Sequence, residues 1–310
     1  MAQKTLLVIV GPTGIGKTSL AIQLASHFKS EILSADSRQF FKEMSIGTAV
    51  PSQNELESVP HHFIHQISIQ KDYSVGDFER DAIEKLNELF KIHDIVLLVG
   101  GSGLYVDAVV YGIDSFPKIK PGLRTKLQSE MEAHGLEPLQ NELKLTDPVY
   151  YEKVDLKNPH RVLRALEVIR TTGKPFSGFL GKGKAKRPFH SLILGLEAPR
   201  EVVYNRINAR VDKMMAAGLL DEVKTLKEFE HLNAMQTVGY KELFSYLKGE
   251  TGLDEAISEI KKNTRRFAKR QGTWFRKNKD MKWIPHDMAL TEVINLITET
   301  LKDEERGEYS

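Results

Sequence analysis

Thr5-Leu6-Leu7-Val8-Ile9-Val10-Gly11-Pro12-Thr13-Gly14-Ile15-Gly16-Lys17-Thr18 decides the fold. Its first six residues are apolar, partly β-branched and ended by Gly-Pro, which reads as a short buried strand. Residues 11–18 fit G-x-x-x-x-G-K-[ST]. Glycines let backbone N–H groups turn inward around an oxyanion, and the N-terminus of a following helix adds positive potential. Lys17 supplies a point charge, and the Thr18 hydroxyl suits a Mg²⁺ ligand. Four specified positions match by accident somewhere in such a chain on the order of 1% of the time. Leu20, Ala21, Leu24, Ala25 and Phe28 then follow at helical spacing. Gly11, Pro12, Thr13, Gly14, Ile15, Gly16, Lys17 and Thr18 are therefore expected to cradle a diphosphate or nucleotide.

Outward from this motif, residues 31–35 read as a second short strand and residues 76–91 as a helix. Ile95-Val96-Leu97-Leu98-Val99 is apolar at every position, as expected of a strand covered on both faces. Residues 191–196 repeat that pattern and lead into a long helical stretch over 199–227. Alternation of this kind predicts an α/β fold: a P-loop three-layer core with a mostly parallel sheet. Residues 118–188 break the rhythm, with helical periodicity and no good strand, and end in Gly181-Lys182-Gly183-Lys184-Ala185-Lys186-Arg187. They read as a helical insertion domain. The expected organisation is a discontinuous catalytic core over 1–117 and 189–285, the insertion over 118–188, and a C-terminal helix with a frayed tail over 286–310.

Composition narrows the function classes. Of 310 residues, 41% are hydrophobic and 28% charged, which excludes global disorder. The absence of cysteine removes disulfides, thiol nucleophiles and cysteine-ligated metals. The longest apolar runs fall far short of the ~18 residues of a membrane span. No signal peptide is recognisable, because the first apolar run passes straight into the glycine loop. A cytoplasmic protein with no membrane partner is expected. Lys and Arg (44) nearly balance Asp and Glu (42), so only local clustering of charge speaks about partners.

A Walker-type NTPase needs a carboxylate at the end of a neighbouring apolar strand. The candidate strand here ends Val99-Gly100-Gly101-Ser102-Gly103 without one, and no N-K-x-D guanine signature is present. Asp36 instead ends the second strand, in Asp36-Ser37-Arg38-Gln39. Ligands of open parallel sheets bind beyond the carboxyl ends of the strands, so the phosphate loop, the Asp36 loop and the Gly100–Gly103 loop should meet there. Asp36 then binds metal or serves as a base, or merely caps the following turn. Arg206 and Arg210, four apart on one helical face, either reach an anion or pair with Glu201 or Asp212. His61-His62 favours packing or backbone hydrogen bonding over metal. Basic residues cluster at 261–282, at 182–187, and at His160, Arg161 and Arg164. Such segregation in a nearly neutral protein favours a polyanion larger than a nucleotide.

Together these pieces resemble the tRNA dimethylallyltransferases, or isopentenyl-tRNA transferases. The matching blocks are the phosphate loop, Asp36-Ser37-Arg38-Gln39, Gly47-Thr48-Ala49, Pro60-His61-His62 and Gly100-Gly101-Ser102-Gly103-Leu104-Tyr105. Further blocks are Arg161-Val162-Leu163-Arg164-Ala165-Leu166-Glu167, Arg206-Ile207, Arg210-Val211-Asp212-Lys213-Met214, Gly239-Tyr240-Lys241-Glu242 and Ala268-Lys269-Arg270-Gln271-Gly272-Thr273-Trp274-Phe275-Arg276. The resemblance implies transfer of a dimethylallyl group from dimethylallyl diphosphate to N6 of adenosine 37 in the tRNA anticodon stem-loop, by a monomer. It implies Asp36 as proton acceptor, Arg210 and the phosphate loop as diphosphate ligands, Thr13 near the reaction channel, and Mg²⁺ through Thr18. It also implies tRNA contacts at Asp36, Ser37, Arg38, Gln39, Ser102, Arg124, His160, Arg161, Val162, Leu163 and Arg164. Val50 and His65 stand where the family often has Lys and Asp, and Ser102 replaces a more usual Thr. Without cysteine the zinc finger of many eukaryotic members cannot form, so a bacterial-type enzyme is expected. A nucleotide or small-molecule kinase, an adenine-nucleotide prenyltransferase, and an RNA-binding protein with a regulatory nucleotide site are the alternatives.

Overall fold

The computed structural model describes residues 3–181 and 185–305. Lys182, Gly183 and Lys184 of the second basic group, and the end of the expected frayed tail, lie outside the described residues. Strand β1 (Thr5–Val10) and helix α1 (Lys17–Phe28) have the bounds read from the sequence. The other strands are β2 (Ile32–Ser34), β3 (His61–His62), β4 (Ile95–Gly100), β5 (His190–Glu197) and β6 (Lys282–Pro285). They form one parallel sheet in the order β3-β2-β4-β1-β5-β6. The central strand pairs with β4 on one side (Val10 opposite Gly100) and with β5 on the other (Val10 opposite Gly195). Its carboxyl end is thus a topological switch point, where a crevice opens.

The remaining helices are α2 (Gln53–Ser58), α3 (Val75–Leu89), α4 (Gly103–Tyr111), α5 (Leu123–His134), α6 (Glu137–Thr146), α7 (Pro148–Tyr151) and α8 (Pro159–Thr172). After β5 come α9 (Arg200–Ala216), α10 (Leu219–Thr225), α11 (Tyr240–Leu247), α12 (Leu253–Phe275) and α13 (Leu290–Glu305). Leu7 and Ile9 face a buried cluster that includes Leu24 of α1, Ile207 of α9, and Val293 and Ile297 of α13. Leu6, Val8 and Val10 point to the opposite face and are buried as well, so the sheet is covered on both sides. The helical stretch expected over 199–227 is two helices, because Gly218 takes φ +97°, a left-handed conformation that ends α9. Helices α10, α11 and α12 enclose their own apolar cluster around Leu219, Tyr240, Leu243, Phe244 and Ile260.

The chain divides into two compact units, 1–110 with 187–310, and 111–186. Helix α13 is part of the first, so the contacts place no boundary at residue 286. The second unit has a separate core of Leu127, Leu139, Leu143, Val162, Leu163 and Leu166. Within it Asp147, 1% exposed, accepts Tyr150 N at 3.0 Å, Ser177 N at 2.6 Å and Ser177 Oγ at 2.7 Å, which meets the requirement for partners at a buried carboxylate. Among the described residues no helix is long and apolar enough to cross a membrane.

Candidate active site

At the carboxyl end of β1 the chain turns through Gly11 (φ +146°), Gly14 (φ +80°) and Gly16 (φ +112°) into α1. A side chain at Gly11 would bring its Cβ to 2.9 Å from the Leu196 carbonyl oxygen, so the residue has to be glycine on steric as well as torsional grounds. Lys17 Nζ donates to the carbonyls of Gly11 and Pro12, both at 2.9 Å. Burial pushes its pKa down to about 8, a shift that Asp36 opposes and Arg210 reinforces. This lysine is a concealed charge that an anion in the loop would stabilise.

The three loops do meet. Thr13, Lys17, Thr18, Asp36, Gln39, Gly100, Gly101, Arg210, Phe267 and Gln271 line one open cleft of about 630 Å³ with Ile32, Ala49, Pro51, His61 and Ile64. Asp36 Oδ1 accepts the Arg38 N–H at 3.0 Å, so the capping reading holds for that oxygen while the residue also borders the cleft. Ser102 Oγ accepts Ser37 N at 3.2 Å and lies 3.2 Å from Ser37 Oγ, tying the Asp36 loop to the Gly100–Gly103 loop. Gln271, 7% exposed on α12, makes the other tie. Its Oε1 accepts Thr13 N at 2.9 Å and its Nε2 donates to the Gly101 carbonyl at 2.9 Å. Glycine at 100, 101 and 103 is therefore more than turn geometry. A Cβ at any of them would fall under 3.0 Å from Ala35, Gln271 or Trp274 respectively.

Arg210 borders the cleft, its pKa lowered by burial and partly restored by Asp36. The guanidinium of Arg206 lies beside Gly16, 3.4 Å from where a Cβ would stand. Asp212, one candidate partner for these arginines, pairs with Lys261 at 2.5 Å. In the His61-His62 pair, His61 Nδ1 is 2.7 Å from the Val59 carbonyl and His62 Nε2 is 2.6 Å from Glu31 Oε2, while His61 Nε2 is buried without a hydrogen-bond partner among the described residues. His65 Nε2 meets Ser45 Oγ at 3.2 Å.

Other sequence-predicted residues divide by environment. Gln39 borders the cleft, but its Nε2 donates to the Thr48 (3.3 Å) and Ala49 (3.0 Å) carbonyls and its Oε1 accepts Ser34 Oγ at 3.0 Å. Its side chain braces a loop. Arg38 reaches the Asn233 carbonyl at 3.4 Å. In the second unit, Glu167 holds Arg124 (3.0 Å) and Arg164 (3.2 Å), and Arg124 also approaches His160 Nδ1 at 3.3 Å. His160 and Arg161 are exposed at the start of α8, whereas Val162 and Leu163 fill that unit's core and have no side chain to offer a ligand. Arg187, counted with the second basic group, is occupied as well: it donates to the carbonyls of Ala108 (2.6 Å) and Val109 (2.8 Å) and pairs with Glu79 at 2.5 Å.

Gln271 is recognisable in the sequence only as part of a block. A signal for it exists nonetheless: Ala268, Gln271 and Phe275 share the buried face of α12, and a lone amide among apolar positions needs partners. Tyr240 likewise stands within a matching block, whereas Glu222 carries no sequence signal.

A phosphate loop at the switch point of a parallel sheet, with a carboxylate and an arginine on the same cleft, defines a P-loop protein built to handle a phosphorylated ligand. The family described as IPP transferase matches residues 39–278. The tRNA dimethylallyltransferase of Christiangramia forsetii is 57% identical over 292 residues, 94% of this chain and 97% of that protein. The full-length tRNA isopentenylpyrophosphate transferase of Bacillus halodurans superposes with TM-score 0.73 at 35% identity, covering 99% of this chain and 100% of that one. A eukaryotic dimethylallyltransferase acting on tRNA reaches TM-score 0.82 at 26% identity, over 97% of this chain and 80% of that one. The chain belongs to the tRNA dimethylallyltransferase family.

Proposed function

We propose that this chain transfers a dimethylallyl group from dimethylallyl diphosphate to N6 of adenosine 37 in tRNA. The observation that carries this reading is the convergence of Lys17, Thr18, Asp36 and Arg210 on one cleft that also has apolar lining from Ile32, Ala49, Pro51 and Ile64. The polar end suits a diphosphate and the apolar residues suit a short hydrocarbon.

As the allylic C–O bond breaks, its electron pair leaves with the diphosphate. Loop amides, Lys17 and Arg210 stabilise that developing charge in place, without reorganising at the moment of reaction. The N6 lone pair forms the new C–N bond. Carboxylates are too weak as bases to strip a neutral aromatic amine beforehand, so Asp36 orients the amine and takes its proton while the bond forms. The Thr18 hydroxyl offers a hard oxygen donor on the cleft, and Mg²⁺ commonly keeps several waters and binds chiefly through substrate phosphates. Mg²⁺ held there would supply further neutralisation of the diphosphate. Arg124, Arg161 and Arg164 of the second unit supply cationic contacts for the RNA backbone, and His160 beside them a polar one. A base in an anticodon loop turns outward at modest cost.

The test offers purified protein dimethylallyl diphosphate with an anticodon stem-loop, with free adenosine monophosphate, or with nucleoside triphosphate in place of the donor. Stoichiometric diphosphate and a prenylated adenosine in the RNA are expected. Triphosphate consumption with unmodified RNA overturns the reading, and preferential alkylation of the free nucleotide reassigns the acceptor.

A further inference from the structure

Glu222, in the first turn of α10, collects four hydrogen bonds from a loop and a tyrosine that are distant in sequence. Its Oε2 accepts Ser45 N at 3.0 Å and Ile46 N at 2.8 Å. Its Oε1 accepts Gly47 N at 3.0 Å and the Tyr240 hydroxyl at 2.6 Å. Burial and the neighbouring carboxylate push the Tyr240 phenol up, so it stays a donor. The tyrosine ring lies close enough to Gly47 that a Cβ there would come under 3.0 Å from Cε2, Cζ and Oη. Three consecutive amides and a phenol thus fill a carboxylate that is acceptor-only, in charge-assisted bonds.

This clamp holds the approach to the cleft. Thr48 Oγ1 donates to the Met44 carbonyl at 2.6 Å, and Ala49 takes φ +48°, a conformation that residues with a Cβ adopt only when the surroundings over-determine it. From the other side Gln39 Nε2 holds the Thr48 and Ala49 carbonyls. Ala49 and Pro51, just beyond, form part of the apolar lining.

We propose that Glu222 and Tyr240 are positioning residues that set this apolar wall and thereby select the isoprenoid carried by the donor. The proposal rests on the reading of the cleft as a prenyl-donor site. Neither residue touches the diphosphate cradle, so the clamp acts on recognition of the hydrocarbon and leaves recognition of the diphosphate alone.

Binding of dimethylallyl diphosphate, geranyl diphosphate and inorganic diphosphate is measured calorimetrically on the full chain. An anticodon stem-loop with purine riboside at the target position is present, so that no amine can be alkylated. Glu222→Gln puts an NH₂ group where an oxygen faces N–H or O–H donors. It should weaken dimethylallyl diphosphate about tenfold while inorganic diphosphate changes less than about twofold, and should erode the preference over geranyl diphosphate. Tyr240→Phe removes one donor and should move the same quantities less far, which keeps the test decisive if Glu222→Gln does not fold. Leu219→Ala, in the same apolar cluster but outside these hydrogen bonds, should lower the melting temperature and keep the discrimination. Wild-type discrimination in the folded clamp variants, or an equal loss in Leu219→Ala, overturns the proposal. A wild-type protein that binds all three ligands alike overturns the donor reading itself.

Discussion

Asp36 serves the loop and the cleft together, and the two duties can be separated. Its Oδ1 accepts the Arg38 N–H at 3.0 Å, a bond that an asparagine carbonyl would keep. Asp36→Asn should therefore preserve the loop and remove only the proton acceptor. Single-turnover transfer should fall by about 10²–10⁴-fold, the usual worth of a positioned base, while donor affinity holds or improves as a negative charge leaves the anion site. Near-normal turnover would remove Asp36 from this role. Lys17 carries a pH signature. With its pKa lowered from 10.5 to about 8, it loses its charge in the free protein as pH rises through that value. Affinity for inorganic diphosphate should thus decline above about pH 8, by at most about tenfold per unit from this one group. The difference between wild type and Lys17→Met across the titration isolates it from the ligand's own ionisation. A flat difference would mean that Lys17 does not hold the anion.

Helix α12 shows how far element-level reading reaches. Its buried side carries Gln271 between the phosphate loop and Gly101. Gln271→Leu would leave the part-buried Thr13 N–H and the buried Gly101 carbonyl without their partner, costing about 1–3 kcal/mol for the buried group and less for the other. A lowered melting temperature with weaker diphosphate binding is expected; unchanged values for both would make the tie redundant. On the outer side, Arg265 donates to Asn208 Oδ1 at 2.7 Å and sits over the Tyr204 ring, so its basic charge is also structural. Lys269 and Arg270 are exposed and give the cleaner test. Reversing both to Glu should weaken tRNA binding and reduce the salt slope by about two, one for each lost phosphate contact. An unchanged slope would make that face ordinary surface. The sheet core was legible because β1 and β4 are apolar at nearly every position, β5 is apolar from Leu192 to Leu196, and the glycine motif dictates the turn from β1 into α1. Strand β3 has two residues and β6 four, too short for periodicity to register. The clamp of Glu222 on residues 45–47 joins segments about 175 apart in sequence, and no local pattern encodes such a bond.

At the scale of the whole molecule, the 111–186 unit is a self-contained module. Its core is its own, and the ends of the insertion are adjacent: Ala185 N donates to the Tyr111 carbonyl at 2.8 Å. On the other unit, Arg187 is fastened to the end of α4 through Val109 and Ala108, so Val110 and Arg187 start close together. A short linker can therefore close that gap at small entropic cost. Replacing residues 111–186 by a short Gly-Ser linker should leave a folded core whose diphosphate affinity stays within about threefold of wild type, because every cleft-lining residue belongs to that core. Transfer to an anticodon stem-loop should be lost, since Arg124, His160, Arg161 and Arg164 leave with the module. Calorimetry and a prenylation assay on one preparation separate the outcomes. Retained transfer would mean that the core alone recognises the RNA, most directly through the exposed cations of α12. Lost diphosphate binding in a protein that still melts cooperatively would mean that the cradle is shaped by the insertion and not, as Gln271 and Ser102 argue, by ties within the core.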